Sequence, residues 1–175
     1  MAWTSYVLPG GAKLQGGDHI ASAAGYELIV PSPESPQFMK FYNEAKEYAG
    51  TSTGKHRVEK FVDFVHSSIE YDNDFAKGMK VVPLVAALRD RKGVCKEKAA
   101  ALYMILEKEG FDAEYVKGTL YEGGTDYGHA WVRVKVEGVD YLADPTNNFL
   151  GRYGSTQNAH GLKDAAVTLF RLERE

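Results

Sequence analysis

Gly93-Val-Cys95-Lys-Glu-Lys-Ala-Ala-Ala-Leu-Tyr-Met-Ile-Leu-Glu-Lys-Glu-Gly110 is the stretch on which the fold turns. It follows a glycine, runs through Ala99 to Leu106 with almost no polar side, and stops at Gly110, a residue suited to a helix C-terminus. A helix without a polar stripe has to be covered all round. The spacing therefore predicts a buried central helix over residues 95–109, with Cys95 at its N-terminal end.

Working outward, the hydrophobic period changes on the two sides of this helix. Upstream, Phe38, Phe41, Tyr42, Ala45 and Tyr48 recur at helical spacing between Ser35 and Gly50, and Val58, Phe61, Val62, Val65 and Ile69 do so again. Pro83, Leu84, Ala87 and Leu88 predict a short third helix opened by proline. Downstream, residues 113–121, 129–136 and 139–144 alternate with period two. Helices first and strands second predict an α+β fold with a mainly antiparallel sheet. Residues 1–35, rich in glycine and proline, read as an N-terminal arm with little regular structure beyond a strand-like Tyr26–Val30. Residues 36–175 read as a single domain, with 145–175 left unassigned and no internal repeat.

Composition narrows the function classes. The 175 residues include 44% hydrophobic and 26% charged side chains, the proportions of a globular protein and not of a disordered one. The net charge of −3 offers no basic footprint, so nucleic acid is not an expected partner. No apolar run is long enough to span a bilayer, and no basic start leads into an apolar core. A membrane partner is not expected, and the cytoplasm is the expected compartment unless the natural chain carries a leader. Oligomeric state is not legible. Cys95, the single cysteine, excludes an internal disulfide and a multi-cysteine zinc cage. His19, His56, His66 and His160 have no ligand-like spacing, and no acidic loop suggests calcium, so neither a metal nor a cofactor is expected.

The strand 129–136 puts Ala130, Val132, Val134 and Val136 on one face and His129, Trp131, Arg133 and Lys135 on the other. If Glu137-Gly138 is a two-residue hairpin turn, Val136 pairs with Val139, Val134 with Tyr141 and Val132 with Ala143. That register puts Asp144 on the face of His129, one diagonal step away, within reach of an imidazole. Cys95 supplies the third group: the free N–H groups and dipole of a helix N-terminus favour a thiolate and can receive an oxyanion. A nucleophilic thiol, a histidine to move protons and a carboxylate to orient it are the parts of nucleophilic attack on an amide.

The blocks Gly93-Val-Cys95-Lys-Glu-Lys-Ala-Ala-Ala, Gly128-His-Ala-Trp-Val-Arg-Val134 and Asp144-Pro-Thr-Asn147 resemble the three blocks of the transglutaminase-like superfamily. Phe61-Val-Asp-Phe-Val-His-Ser-Ser-Ile-Glu-Tyr-Asp72 resembles the helix before the cysteine block in its bacterial members. The resemblance covers about residues 55–150. It implies a papain-like arrangement, a central helix bearing the cysteine packed on an antiparallel sheet bearing the histidine and the aspartate, with Cys95, His129 and Asp144 as a catalytic triad. Asn147 stands where many relatives carry tryptophan, which leaves substrate preference open.

The implied activity is thiol-dependent acyl transfer on a protein or peptide substrate through a thioester, by water in a peptidase or amidase or by an amine in a transglutaminase. Hydrolysis is favoured because water needs no second site. The alternative is a non-catalytic module that binds a peptide or cell-wall fragment in the same cleft. Trp131 can wall a substrate groove or simply cover the sheet, and Tyr71 can offer a hydroxyl to the cleft or simply pack. Arg91, Lys92, Lys96 and Lys98 read first as a solvated positive face and second as support for a thiolate; attraction of acidic substrates is not an expectation.

Overall fold

The chain is described from a computed structural model covering residues 3–7, 13–15, 19–23, 26–79, 81–122, 124–154 and 162–174. Helix α1 (Pro36–Ala49) begins where Ser35 Oγ accepts the Phe38 N–H and Pro36 needs no partner for a missing N–H, and it ends at Gly50. It turns Phe38, Phe41, Tyr42, Ala45 and Ala49 inward. α2 (Gly54–Ser68) adds Val58, Phe61, Val62, Phe64 and Val65, and α3 (Leu84–Asp90) adds Leu84, Ala87 and Leu88. α4 (Cys95–Lys108) is buried at every position from Lys96 to Glu107, as its lack of a polar stripe predicts.

The strands are β1 (Trp3–Val7), β2 (Lys13–Gln15), β3 (His19–Ala23), β4 (Tyr26–Val30), β5 (Glu70–Tyr71), β6 (Val81–Pro83), β7 (Lys92–Gly93), β8 (Asp112–Glu122), β9 (Thr125–Val136), β10 (Val139–Asp144), β11 (Phe149–Arg152) and β12 (Leu162–Arg174). The main sheet has the order β11-β10-β9-β8-β12-β1-β2, and its neighbours are antiparallel throughout. α4 lies against β8 and β9, with the other helices beyond it.

The β9–β10 hairpin has the expected register: Val136 pairs with Val139, Val134 with Tyr141 and Val132 with Ala143. Both turn residues take positive φ, Glu137 at 52° and Gly138 at 79°, the combination that matches strand twist. Ala130, Val132, Val134, Val136 and Ala143 join α4 in the main core. Trp131, Val116 and Leu142 form a second cluster, covered by Leu120, Phe149 and Tyr153.

Within the first 35 residues Tyr26–Val30 is the expected strand, β4, whereas β1, β2 and β3 depart from the expected irregular arm. β1 extends the main sheet by pairing with β12, and β3 and β4 form a small sheet with β6. β1, β2 and β3 are three to five residues long, too short to show a period, and β1 finds its partner near the opposite end of the chain. β11 and β12 likewise occupy the unassigned C-terminal stretch.

Candidate active site

Cys95 is the first residue of α4 and is delivered there by a short strand. β7 pairs in parallel with β5, Glu70 N–H donating to Arg91 O at 2.9 Å and Asp72 N–H to Gly93 O at 2.8 Å. This pairing sets Tyr71 next to the residues that lead into Cys95. At the helix start Val94 N–H donates to Glu97 Oε1 at 3.0 Å, so a fully buried carboxylate satisfies one backbone donor. Gly93 permits it, since a Cβ there would stand 2.8 Å from Glu97 Cβ.

His129 and Asp144 come from the hairpin. Nε2 of His129 lies 2.7 Å from Asp144 Oδ2, and the Cys95 thiol hydrogen-bonds the same ring, for which Nδ1 is the nitrogen left. His129 is 5% exposed and Asp144 is fully buried. The chain turns tightly after β10, and Asp144 collects its donors there. Thr146 N–H (2.9 Å) and Asn147 N–H (3.2 Å) bond Oδ1, and Asn147 Nδ2 (3.0 Å) bonds Oδ2. His66 on α2 ties the turn down through Nδ1 to Pro145 O at 3.0 Å.

These contacts fix the charges. Burial alone would push the His129 imidazole down, but its bonds to Asp144 and Cys95 outweigh burial and hold it up at about 10. Burial pushes Asp144 up, yet His129 and Asn147 keep its carboxyl below the ordinary value. The structure thus brings together all three residues singled out for nucleophilic chemistry, with the histidine between thiol and carboxylate.

Tyr71 also belongs here. Its phenol oxygen accepts the Cys95 backbone N–H, and burial together with nearby negative charge raises its pKa, so the hydroxyl keeps its proton. Trp131 does not line the groove. It is fully buried in the second cluster, 6.0 Å from the His129 ring between centroids, and its Nε1 donates to Tyr153 Oη at 3.2 Å. Of the two readings of Trp131, covering the sheet is the one seen, with Phe149 and Tyr153 packed over it, which the alternation of β9 alone does not reveal.

The positive face is not solvated as expected. Lys96 and Lys98 are 6% and 2% exposed. Lys98 Nζ reaches back to His66 O (3.0 Å) and Ile69 O (2.6 Å) at the end of α2, and Tyr115 Oη donates to Lys96 O at 3.4 Å. Burial lowers the pKa of both ammonium groups, Lys96 to about 8. The sequence reading missed Asn147 as a partner of Asp144, although Asp-Pro-Thr-Asn is the composition of such a turn. It missed Lys117 altogether.

Two cavities meet at His129. One, of about 220 Å³, is lined by Cys95, Lys96, Tyr115 and Lys117 and shares Tyr71, Gly128 and His129 with the other. The second, of about 580 Å³, reaches His66, Lys98, Thr146 and Asn147. Among the described residues no three His, Cys, Asp or Glu side chains converge where a metal ion would sit.

The chain belongs to the transglutaminase-like superfamily, whose family model matches residues 43–145, more than half of its length. The fold is shared with solved structures at low identity. Legionella pneumophila LapG matches with a TM-score of 0.54 at 16% identity over 76% of each chain. A Cytophaga hutchinsonii protein provisionally described as a cysteine protease matches with a TM-score of 0.50 at 18% identity, over 78% of this chain and 50% of that one. A TGase matches with a TM-score of 0.51 at 21% identity over 63% and 30%. The chain thus spans half or less of the length of these last two. No curated protein sequence matches it.

Proposed function

We propose that this chain hydrolyses a peptide or amide bond through a thioester on Cys95. The observation that carries the reading is the His129 imidazole held between the buried Asp144 carboxylate and the Cys95 thiol, at the meeting point of two cavities.

The thiol proton passes to His129, and the sulfur attacks the amide carbon, pushing the carbonyl electrons onto oxygen. The Tyr71 hydroxyl, whose oxygen accepts the Cys95 N–H, is the donor offered to that oxyanion. The imidazolium returns its proton to the amide nitrogen, the C–N bond breaks, the amine departs and the thioester remains. His129 then takes a proton from water, whose oxygen attacks the thioester and releases the acid and the thiol. Asp144, ionised and held by three donors of its own turn, keeps the imidazole oriented throughout. An amine in place of water would give transfer. The superfamily and its protease and TGase neighbours support a thiol reading over simple binding in the cleft.

The test uses iodoacetamide and an unfolded casein. Cys95 is expected to be alkylated at neutral pH faster than free cysteine, and more slowly by about 10²-fold in His129→Ala. New amino termini are expected from casein with the wild-type chain and none with Cys95→Ala, while incorporation of monodansylcadaverine would assign transfer instead. An inert Cys95 together with intact casein would overturn the reading.

A further inference from the structure

We propose that the smaller cavity is an anion subsite for the acyl donor: the substrate carries a carboxylate beside the scissile bond, received by Lys117 of β8 with Lys96 of α4 alongside. This specifies the substrate class and rests on the reading of Cys95 as a nucleophile.

The lining of this cavity carries the argument. Cys95, Lys96, Lys117 and His129 bring two ammonium groups and an imidazole to one concavity of about 220 Å³, room for a short side chain, and none of its lining residues is Asp or Glu. The lysines come from different layers of the fold. Lys96 follows the nucleophile on α4, whereas Lys117 sits on β8 opposite Ala130, one position before the Gly118 that pairs with His129. Burial lowers Lys96, the Glu97 carboxylate opposes that, and Lys117 adds to the lowering, so the two ammonium groups lie close enough to repel. Burial lowers the Lys117 ammonium and Cys95 raises it, as its place beside the nucleophile requires. Lys96 and Lys117, from two layers of the fold, thus line one concavity beside the nucleophile, and an ammonium group holds a carboxylate by a charge-assisted hydrogen bond. Most of the wall is otherwise apolar or aromatic, Val94, Tyr115 and Ala130 among it, so a carboxylate entering it finds no competing acceptor charge.

Iodoacetate and iodoacetamide test this directly, being almost the same size and delivering the same leaving iodide to the same sulfur, with and without a negative charge. With the full chain, iodoacetate is expected to alkylate Cys95 faster and with saturation. The rate ratio should fall in Lys117→Met by about fivefold or more, the effect of one unit charge some 4 Å away in water. It should fall further in Lys117→Glu and stay unchanged in Lys92→Met, whose exposed ammonium lies outside the cavity. A Lys117→Met variant that slows both reagents equally would assign the lysine to the thiolate alone and overturn the subsite. A ratio that never favours iodoacetate would also overturn it. An inert Cys95 would instead strike the catalytic reading and the subsite with it. In an amine-blocked peptide library, cleavages are expected to be enriched in Asp or Glu within two residues on the acyl side, and cleavage without that enrichment would overturn the proposal while leaving hydrolysis standing.

Discussion

Lys98 Nζ donates to the carbonyl of Ile69 at 2.6 Å, so the helix that carries the nucleophile grips the end of α2 one turn beyond Cys95. Two residues after Ile69 comes Tyr71, whose phenol returns to the Cys95 backbone. The ammonium, also bonded to His66 O, therefore closes a loop of contacts around the start of α4.

Lys98→Met keeps the length of the stem but leaves the buried Ile69 carbonyl and the part-buried His66 carbonyl without this donor. A loss of about 2–3 kcal/mol is expected, within the range for bonds to charged groups, measured as a lower urea midpoint with an unchanged slope. Alkylation of Cys95 should slow as well, because Tyr71 and α4 lose their common anchor.

Gly93→Ala tests the close approach of β7 to α4. The new methyl would meet Glu97 Cβ at 2.8 Å, inside van der Waals contact, and Glu97 has no room to retreat because it is fully buried. The first turn of the helix must shift, at an expected cost of about 1–3 kcal/mol. A thermal melt should show the loss. An unchanged melting temperature would mean that the Glu97 cap is not held as described.

The His129–Asp144 pair predicts a particular dependence of stability on pH. His129 rises from 6.5 in the unfolded chain to about 10 in the fold, so its contribution is complete below about pH 6.5 and is lost as pH climbs towards 10. Asp144 moves the other way: its contribution is present above its ordinary 3.8 and is lost as pH falls through the lower folded value. Urea midpoints should therefore be highest between these limits and decline from pH 6.5 to 10. Asp144→Asn should flatten the alkaline decline, since it removes the carboxylate that holds the imidazole protonated.

Much of the site was legible because it depends on local patterns. Ser35 and Gly50 mark the ends of α1 by capping chemistry, and the valines of β9 fix the hairpin register that carries His129 to Asp144. The rest depends on contacts between distant segments. Nothing near Trp3–Val7 announces pairing with Leu162–Arg174, and a short strand without a period is indistinguishable from loop. Lys96 and Lys98 read as surface residues because charge usually is. Their burial follows from the carbonyls at the end of α2 and the wall of β8, neither visible in the order of residues. Asn147 looked like a departure from its relatives, and it is the residue that donates twice to Asp144.

The hairpin origin of His129 and Asp144 has a mechanical consequence. Base and carboxylate share one hairpin, with the donors to Asp144 in the turn that follows it, whereas the thiol rides on a separate helix fastened by the Lys98 grip, the Tyr115 bond and the two-residue β5–β7 ladder. Slippage between these layers would part sulfur from imidazole and leave the His129–Asp144 pair assembled. Damage to the helical side should therefore disarm the nucleophile before it disturbs the base.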